Sequence, residues 1–342
     1  MGARQLVHAK APLRLSFAGG GTDVAPFPAR LGGAVLSATI SRYAYASLRV
    51  RGDRQISVKS LDYGLAVQFG MDEPIIFDGN LDLPKAAVRR MSDRDLGGLD
   101  LFLHSDAPPG SGLGASSAMV VALVGLLQEQ CRSTLTDFEV AALAHTLERE
   151  DLGIAGGLQD HYAATFGGFN YIEFHAEHVV VNPLRVSPET INELEHNMLL
   201  VYTGRTRVSD QIIADQTDRL VSGDADTLDA LIAQKDLARA MKDALLRRQH
   251  SYFGELLDEA WKQKQRLSPR ITTPYIDEAY DAAIQAGAIG GKVTGAGGGG
   301  YMVFYCEFDR RHTVADSLIK LGLTVTEFSF EPNGLSTWRT NG

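Results

Sequence analysis

The sequence has few cysteines, and its histidines are not arranged as zinc ligands. It also has no long apolar run. Its two cysteines, Cys131 and Cys306, lie far apart and outside any C-x-x-C pattern, so we interpret both as reduced packing residues. The nine histidines show no zinc-ligand spacing. No apolar stretch reaches the length of a membrane span, and the first residues lack the tripartite form of a secretory signal. These features predict a cytoplasmic protein without a membrane partner.

Positive charge is also scarce. The chain carries 33 lysines and arginines against 42 aspartates and glutamates, a formal net charge of -9. Non-specific nucleic-acid binding needs a surplus of cations to neutralise backbone phosphates, so the composition argues against a nucleic-acid partner. An acidic chain can still bind a nucleotide where backbone N–H groups, a few cations and Mg²⁺ are concentrated. A monomer and a homodimer are both compatible with the sequence.

The two halves of the chain differ in their predicted secondary structure. Alternating β patterns dominate the first half of the 342 residues, and long amphipathic helices over 226–249 and 252–267 dominate the second. The composition changes close to 183–188. We therefore predict one lobe over residues 1–186 and another over residues 187–342.

The C-terminal region shows a β-α-β pattern. An apolar strand at 301–305, a helix at 311–321 and a strand at 323–330 resemble half of a split βαβ domain. The first half lacks the repeated βαβ alternation of a dinucleotide-binding fold, which argues against a dehydrogenase. We predict an α+β fold that combines an N-terminal mixed β-sheet and helices with a C-terminal, ferredoxin-like split βαβ lobe.

Residues 106–119, DAPPGSGLGASSAM, join an apolar strand to an apolar helix through a glycine-rich turn. Its glycines permit positive φ and leave no Cβ between backbone N–H groups and an anion. The following helix directs unpaired N–H groups and its positive dipole end into the turn, which favours phosphate. Taken alone, the turn could equally be a plain connection. The residues predicted to hold the phosphates are Pro109, Gly110, Ser111, Gly112, Leu113, Gly114, Ala115, Ser116 and Ser117.

Two further glycine-bearing segments favour the phosphate interpretation. APLRLSFAGGGTD covers residues 11–23, and KVTGAGGGG covers residues 292–300. With the central turn, they resemble the three motifs of the GHMP small-molecule kinases, which include galactokinase, homoserine kinase, mevalonate kinase and phosphomevalonate kinase. The GGGTD variant is most similar to the D-glycero-D-manno-heptose 7-phosphate kinases. The resemblance implies a two-lobed GHMP kinase-like fold, with ATP and Mg²⁺ as cofactors.

The resemblance also assigns roles to single residues. It puts Asp160 at the catalytic aspartate, a carboxylate that orients the acceptor hydroxyl and takes its proton. It puts Arg14 beside the transferring phosphoryl group, a position that suits a permanently charged, forked donor. Without the resemblance, Asp160 could be a helix cap and Asp23 a turn residue. The residues expected at the substrate are Gly20, Gly21, Thr22, Asp23, Gly297 and Gly298.

Magnesium is expected at Ser116 and Glu148. Glu148 lies near the end of a helix that a capping box at 136–139 begins, where the dipole disfavours an acid. Some family members hold Mg²⁺ with a carboxylate here, and the cation would reverse that cost. A solvated glutamate is the alternative. Ala115 replaces a serine that is common in the central motif, which leaves open whether Ser116 or Ser117 meets the metal.

An arginine-rich turn at 203–209, TGRTRVS, forms a candidate second anion site. A solvated basic turn is the alternative. If the substrate carries its own phosphate, Arg205 or Arg207 is the leading candidate to hold it, and Lys10 is a weaker one.

These features predict ATP-dependent phosphorylation of a sugar hydroxyl. By resemblance, the substrate is a heptose 7-phosphate, the acceptor is its anomeric hydroxyl, and the 1,7-bisphosphate feeds GDP-heptose for surface polysaccharide. Two alternatives share the motifs. One is a galactokinase- or fucokinase-like enzyme for an unphosphorylated sugar, and the other is a non-catalytic sugar sensor.

Overall fold

The computed structural model describes residues 5–91, 96–206 and 209–341. The strands are β1 Gln5–Ala18, β2 Gly33–Arg51, β3 Gln55–Ser60, β4 Leu65–Gly70, β5 Gly98–Ser105, β6 Phe169–Phe174, β7 Val179–Pro183, β8 Met198–Tyr202, β9 Ala288–Val293, β10 Tyr301–Cys306, β11 Thr324–Thr326 and β12 Ser336–Asn341. The helices are α1 Phe27–Leu31, α2 Asp82–Met91, α3 Ala115–Cys131, α4 Asp137–His145, α5 Gln159–Phe166, α6 Pro188–Asn197, α7 Ser209–Val221, α8 Ala225–Leu246, α9 His250–Leu267, α10 Pro274–Ala286 and α11 Arg311–Lys320. Within these ranges, no helix is both long and apolar enough to span a bilayer.

The first sheet runs in the order β12-β1-β2-β5-β3-β4, with β6 paired to β2 and β7 paired to β6. Strand β2 is 19 residues long. It pairs with β1 on one edge, while β6 and then β5 share the other edge. Strands β3 and β5 are parallel, whereas β1 and β2 are antiparallel. This is the mixed sheet that the β-rich first half predicted.

The second sheet has the order β11-β8-β10-β9, and its neighbouring strands are antiparallel. In chain order, β8, the helices α7 to α10, β9, β10, α11 and β11 follow the β-α-β-β-α-β pattern of a ferredoxin-like domain. The predicted α+β fold is thereby confirmed.

The strand predicted at 323–330 is shorter in the structure, because β11 covers Thr324–Thr326 alone. Beyond it the chain leaves the second sheet. Phe330 forms an isolated bridge with Ile40 of the first sheet, and Phe328 and Phe330 pack against the first hydrophobic core. The residues predicted to continue the strand therefore pack on the first core instead.

The C-terminal tail returns to the first sheet, which the sequence did not predict. Strand β12 pairs antiparallel with β1, from Ser336 opposite Lys10 to Asn341 opposite Gln5. It therefore covers an edge of β1 that would otherwise be exposed. The lobe boundary between residues 186 and 187 stays a prediction, and the tail belongs to the sheet of the first lobe.

Helix α3 carries the central glycine turn into the first core. Most of its residues are buried, as an all-round apolar helix requires. Strand β1 is irregular beside the turn, with register shifts between Pro12 and Leu13 and between Ser16 and Ala18. In the segment between these shifts, the Arg14 amide donates to the Leu113 carbonyl at 3.0 Å. The turn is therefore docked directly on β1.

The capping box at 136–139 is confirmed. The Thr136 hydroxyl accepts from the Glu139 amide at 3.3 Å, and the Glu139 carboxylate accepts from the Thr136 amide at 2.8 Å. Helix α4 then continues as a π-helical turn, Thr146–Asp151, that carries Glu148 into the interior. Turns of this kind are frequent at functional sites.

The contact between the tail and α3 can be tested at Gly125. A Cβ built on Gly125 would lie 2.6 Å from the Leu335 side chain, so a larger residue overpacks this site. We expect Gly125→Val to lower the free energy of unfolding by about 1–3 kcal/mol. Urea denaturation of the wild type and variant measures the change. Adding Leu335→Ala to Gly125→Val should restore part of the lost free energy of unfolding. A double mutant no more stable than Gly125→Val alone would contradict the contact.

Candidate active site

The first sheet, the glycine segments and helices of the second half of the chain line a cavity of about 870 Å³, which we call the main cavity. A concave site of this size suits a nucleotide or a small substrate. The predicted site residues that line it are Arg14, Gly20, Gly21, Asp23, Pro109, Gly110, Ser111, Gly112, Gly114, Ala115, Ser116, Ser117, Glu148 and Asp160. The third glycine segment also reaches it, through Gly295 and Ala296.

Arg14 connects β1, the central turn and α5. Its Nε and one terminal nitrogen donate to Oδ1 of Asp160 at 2.7 and 2.6 Å, and its other terminal nitrogen donates to the Gly112 carbonyl at 2.7 Å. The Arg14 side chain is 4% exposed and that of Asp160 is 19% exposed. Charge-assisted bonds with this little solvent around them hold a fixed geometry. The two predicted catalytic residues are therefore in direct contact.

The central and third glycine segments touch at Gly112 and Gly295. A Cβ on Gly295 would lie 2.5 Å from Cα of Gly112, and a Cβ on Gly112 would lie 2.6 Å from the Thr294 carbonyl oxygen. Both residues also have positive φ, 83° for Gly112 and 64° for Gly295. Only glycine combines this conformation with this approach. The glycine pattern thus brings two distant segments together.

Asp23 lies at the corner of the main cavity formed by the first glycine segment. Its Oδ1 accepts the Gly21 amide at 3.1 Å, and its Oδ2 accepts the Gln159 amide at 3.1 Å. Burial raises the pKa of Asp23, and the charge of Asp160 adds to the rise, while the two amide bonds oppose it. Beside it, the Ser16 hydroxyl and the Gln159 amide oxygen have no hydrogen-bond partner among the described residues, although both are buried. Such atoms suit a polar ligand.

Glu148 is buried and accepts bonds from three side chains. Ser116 donates to Oε1 at 2.5 Å, while Ser117 and His161 contact Oε2 at 2.6 and 2.7 Å. Burial alone would raise the pKa of Glu148. The hydrogen bond and charge of His161, followed by the charge of Arg149, outweigh burial and lower the pKa to about 2. His161, which was not among the predicted site residues, therefore supports this carboxylate from the buried side.

Thr22 and Leu113 are buried beside the main cavity and do not line it. The Thr22 hydroxyl donates to the Gly19 carbonyl at 2.7 Å and accepts the Ala34 amide at 3.0 Å, so it shapes the first glycine turn. Leu113 contributes its carbonyl to the bond with the Arg14 amide.

A second cavity, of about 330 Å³, holds other predicted residues. Gly298 lines it, while the Gly298 amide donates to the Ile271 carbonyl at 2.7 Å. Arg205 also lines it, with its guanidinium 4.6 Å from the ring centre of Tyr275. Thr206 lines both cavities, which therefore adjoin.

Two predicted residues, Lys10 and Gly297, line neither of these cavities. Lys10 stacks its ammonium 4.2 Å from the ring centre of Tyr43. Gly297 packs against Ile271. Arg207 lies outside the described residues.

Two parts of the main cavity were not predicted. One end is apolar, with Phe77, Leu81, Leu83 and Leu103. Most of these residues lie around the start of α2, where a short segment shows no clear periodicity. The other is Lys264 on α9, whose charge-laced pattern indicates a surface helix, although its side chain is buried and lines the cavity.

The contact between glycine segments predicts the effect of Gly295→Ala. The new methyl group would push the third segment away from Gly112, so we expect about tenfold weaker ADP binding and a lower Tm. Isothermal titration calorimetry measures the affinity. Gly97→Ala is the matched control, because Gly97 has nearly the same φ, 63°, and no atom within 4 Å of its added Cβ. Equal ADP affinity in both variants would contradict the contact.

Comparison with known sequences matches both halves of the chain. Residues 82–168 match the family description GHMP kinases N terminal domain, and residues 241–322 match GHMP kinases C terminal. The chain is 38% identical over 337 residues to the D-glycero-alpha-D-manno-heptose 7-phosphate kinase of Campylobacter jejuni. That alignment covers 97% of this chain and 99% of the relative.

Solved structures of related proteins have the same fold. The crystal structure of a D-glycero-D-manno-heptose 1-phosphate kinase from Bacteroides thetaiotaomicron has a TM-score of 0.83 at 34% identity, covering 98% of this chain and 100% of that one. Lactococcus lactis galactokinase complexed with galactose has a TM-score of 0.77 at 19% identity, covering 97% of this chain and 95% of the other, which is a likeness of fold alone. With these relatives and this fold, the chain belongs to the GHMP kinase family of ATP-dependent phosphotransferases.

Proposed function

We propose that the enzyme transfers the γ-phosphoryl group of ATP to the anomeric hydroxyl of D-glycero-D-manno-heptose 7-phosphate and forms the 1,7-bisphosphate. The observation that carries this proposal is the Arg14–Asp160 pair beside the glycine turn. Both bonds from Arg14 go to Oδ1 of Asp160, and Oδ2 has no hydrogen-bond partner among the described residues. Oδ2 is therefore available to orient an acceptor hydroxyl and take its proton.

The nucleotide would lie along the central turn. The N–H groups at the start of α3 and the positive end of its dipole favour the ATP phosphates there. The apolar end of the main cavity, with Phe77, Leu81 and Leu103, has the character that suits an adenine base. This orientation would direct the γ-phosphoryl group towards Arg14.

The residues around Glu148 fit a magnesium ion. Mg²⁺ prefers oxygen ligands and usually takes one or two carboxylates together with substrate phosphates. The described part of the chain holds no cluster of three or more His, Cys, Asp or Glu side chains suited to a metal, so ATP would complete the coordination. Ser116 is exposed to the cavity whereas Ser117 is buried, which favours Ser116 as the ligand. When bound, Mg²⁺ would neutralise charge on the phosphate oxygens.

The sugar would occupy the corner at Asp23. The buried Ser16 hydroxyl and Gln159 amide oxygen have no hydrogen-bond partner among the described residues, both side chains line the main cavity, and a polyhydroxylated ligand would satisfy them. The Asp23 carboxylate, already fixed by two amide bonds, would accept a bond from a sugar hydroxyl.

The adjoining second cavity supports a phosphorylated sugar. Arg205 lies there with its guanidinium held over Tyr275, where it could bind a phosphate oxygen pair. Two relatives with more than 30% identity have names that contain a heptose phosphate, although the names give different positions for the phosphate. A 7-phosphate would extend from the reaction centre towards Arg205. A role in GDP-heptose supply would put the enzyme in the cytoplasm.

Asp160→Asn tests the proposed base. The amide keeps the shape of the side chain but cannot take the acceptor proton, so kcat should fall about 10²–10⁴-fold while ATP binding is retained. Coupled measurement of ADP release gives kcat, and calorimetry gives ATP affinity. Asp218→Asn, at an exposed position of α7, is the control and should match the wild type. Near wild-type turnover of Asp160→Asn would remove Asp160 from the role.

Arg205→Ala tests the proposed phosphate contact. Loss of a charge-assisted bond to the sugar phosphate should raise the KM for heptose 7-phosphate at least tenfold, with KM for ATP changed less than twofold. Initial rates at varied concentrations of each substrate measure both values. Arg30→Ala, at an exposed position of α1, serves as the control. Equal increases in both KM values would refute the assignment.

A panel of sugars tests the function itself. Heptose 7-phosphate, galactose and fucose are each incubated with ATP and Mg²⁺, and ADP release is followed. Fast release with heptose 7-phosphate alone supports the proposal. Preference for a free sugar would instead indicate a galactokinase- or fucokinase-like enzyme, and no release with any sugar would favour a sensor.

A further inference from the structure

Lys264 contributes a buried cation to the lining of the main cavity. It is on α9, near the end of the helix, and it is 6% exposed. Its ammonium donates to the Gly295 carbonyl in the third glycine segment. The same side chain lines the main cavity. It therefore lies next to the contact between the two glycine segments.

The hydrogen bonds of Lys264 are incomplete. A lysine ammonium carries three donors, and among the described residues the one acceptor is the Gly295 carbonyl. Leaving donors of a buried charge unpaired is costly, so such a group is expected to face water or a ligand. Oxygen atoms of a phosphoryl group are suitable acceptors.

Charged groups surround Lys264 from several elements. Arg14 faces it from β1, Asp23 from the first glycine turn, Asp160 from α5, and Lys292 from β9. Burial, and then the charge of Arg14, lower the pKa of Lys264 to about 8, while the two carboxylates act in the opposite direction. Lys292 donates to the Phe17 carbonyl at 2.8 Å and is completely enclosed, and burial holds its pKa well below the ordinary value.

The guanidinium of Arg14 is already engaged. Its Nε and both terminal nitrogens bind Asp160 and Gly112, and its charge is balanced by the carboxylate. In the transition state, the transferring phosphoryl group carries negative charge on its equatorial oxygens, and a second cation would stabilise that charge. Arg149 lines the cavity too, but it bonds the Ile154 and Ala155 carbonyls and lies beside Glu148.

We propose that Lys264 is a catalytic residue whose ammonium binds the oxygens of the transferring phosphoryl group. This rests on the proposed function only in requiring that a phosphoryl group crosses the main cavity. The bond from the γ-phosphorus to the bridging oxygen of ATP breaks, and the bond to the acceptor oxygen forms. The acceptor proton goes to Asp160, and ADP leaves with the electron pair. Lys264 keeps its protons throughout.

Lys264→Met tests the charge. Methionine keeps an unbranched stem but has no ammonium, so kcat should fall about 10²-fold, as for loss of an oxyanion donor. Lys264→Arg keeps the charge and should recover part of that loss. Lys262→Met is the matched control, because Lys262 is on the same helix with a side chain 61% exposed. A kcat within threefold of the wild type for Lys264→Met would overturn the proposal.

The pH profile separates a catalytic role from a structural one. The protonated lysine is the active form, so kcat/KM of the wild type should fall as pH rises through about 8. Arginine stays protonated, and the fall should disappear in Lys264→Arg. An unchanged alkaline fall in that variant would contradict the assignment.

Nucleotide binding gives a readout that needs no sugar. Relative to the wild type, Lys264→Met should bind the non-hydrolysable analogue AMPPNP with Mg²⁺ about tenfold more weakly, with its ADP affinity changed less than twofold. Only AMPPNP carries a γ-phosphoryl group. Equal losses for both nucleotides would mean that Lys264 merely supports the third glycine segment, and no loss for either would also overturn the proposal. If the sugar panel fails while this difference holds, the substrate assignment fails and the role of Lys264 stands.

Discussion

The salt bridge between Arg14 and Asp160 is the contact on which the rest of the site depends. The Arg14 guanidinium donates to the candidate base and to the Gly112 carbonyl, and the Arg14 backbone amide donates to the Leu113 carbonyl. Because the pair is largely shielded from solvent, removing either partner would leave a poorly compensated charge. Gly295 then joins the third glycine segment to the central turn by a backbone contact with Gly112. A single ion pair and one glycine contact thus assemble three segments that are distant in sequence.

The carboxylates of the main cavity are given different properties by their surroundings. Burial raises the pKa of Asp23, whereas His161 and Arg149 overcome burial and lower the pKa of Glu148 to about 2. Different environments for like groups assign different roles. The first arrangement suits a hydrogen bond to a sugar, and the second suits a permanently ionised ligand for a cation. Asp160, paired with Arg14, suits proton abstraction, so the proposed roles follow from local contacts.

Much of the fold and the core of the site could be predicted from the sequence, because glycine-rich turns, capping residues and apolar periodicity are local signals. The return of β12 to β1 could not, since the tail has no periodicity that specifies its partner. Lys264 was missed for a related reason: an amphipathic pattern shows that a helix is packed, but not that one of its cations points inward. Within the third motif, Gly295 rather than the predicted Gly298 reaches the main cavity, because the Gly298 amide is bonded to Ile271.

We propose that one cavity brings ATP, Arg14, Lys264 and Asp160 to a common reacting atom. A crystal structure with AMPPNP, Mg²⁺ and heptose 7-phosphate would test this arrangement. We expect γ-phosphoryl oxygens within hydrogen-bond reach of Lys264, and the anomeric oxygen within about 3.2 Å of Asp160 Oδ2. A nucleotide bound away from the 109–117 turn, or an anomeric oxygen separated from Asp160 by another part of the sugar, would contradict it.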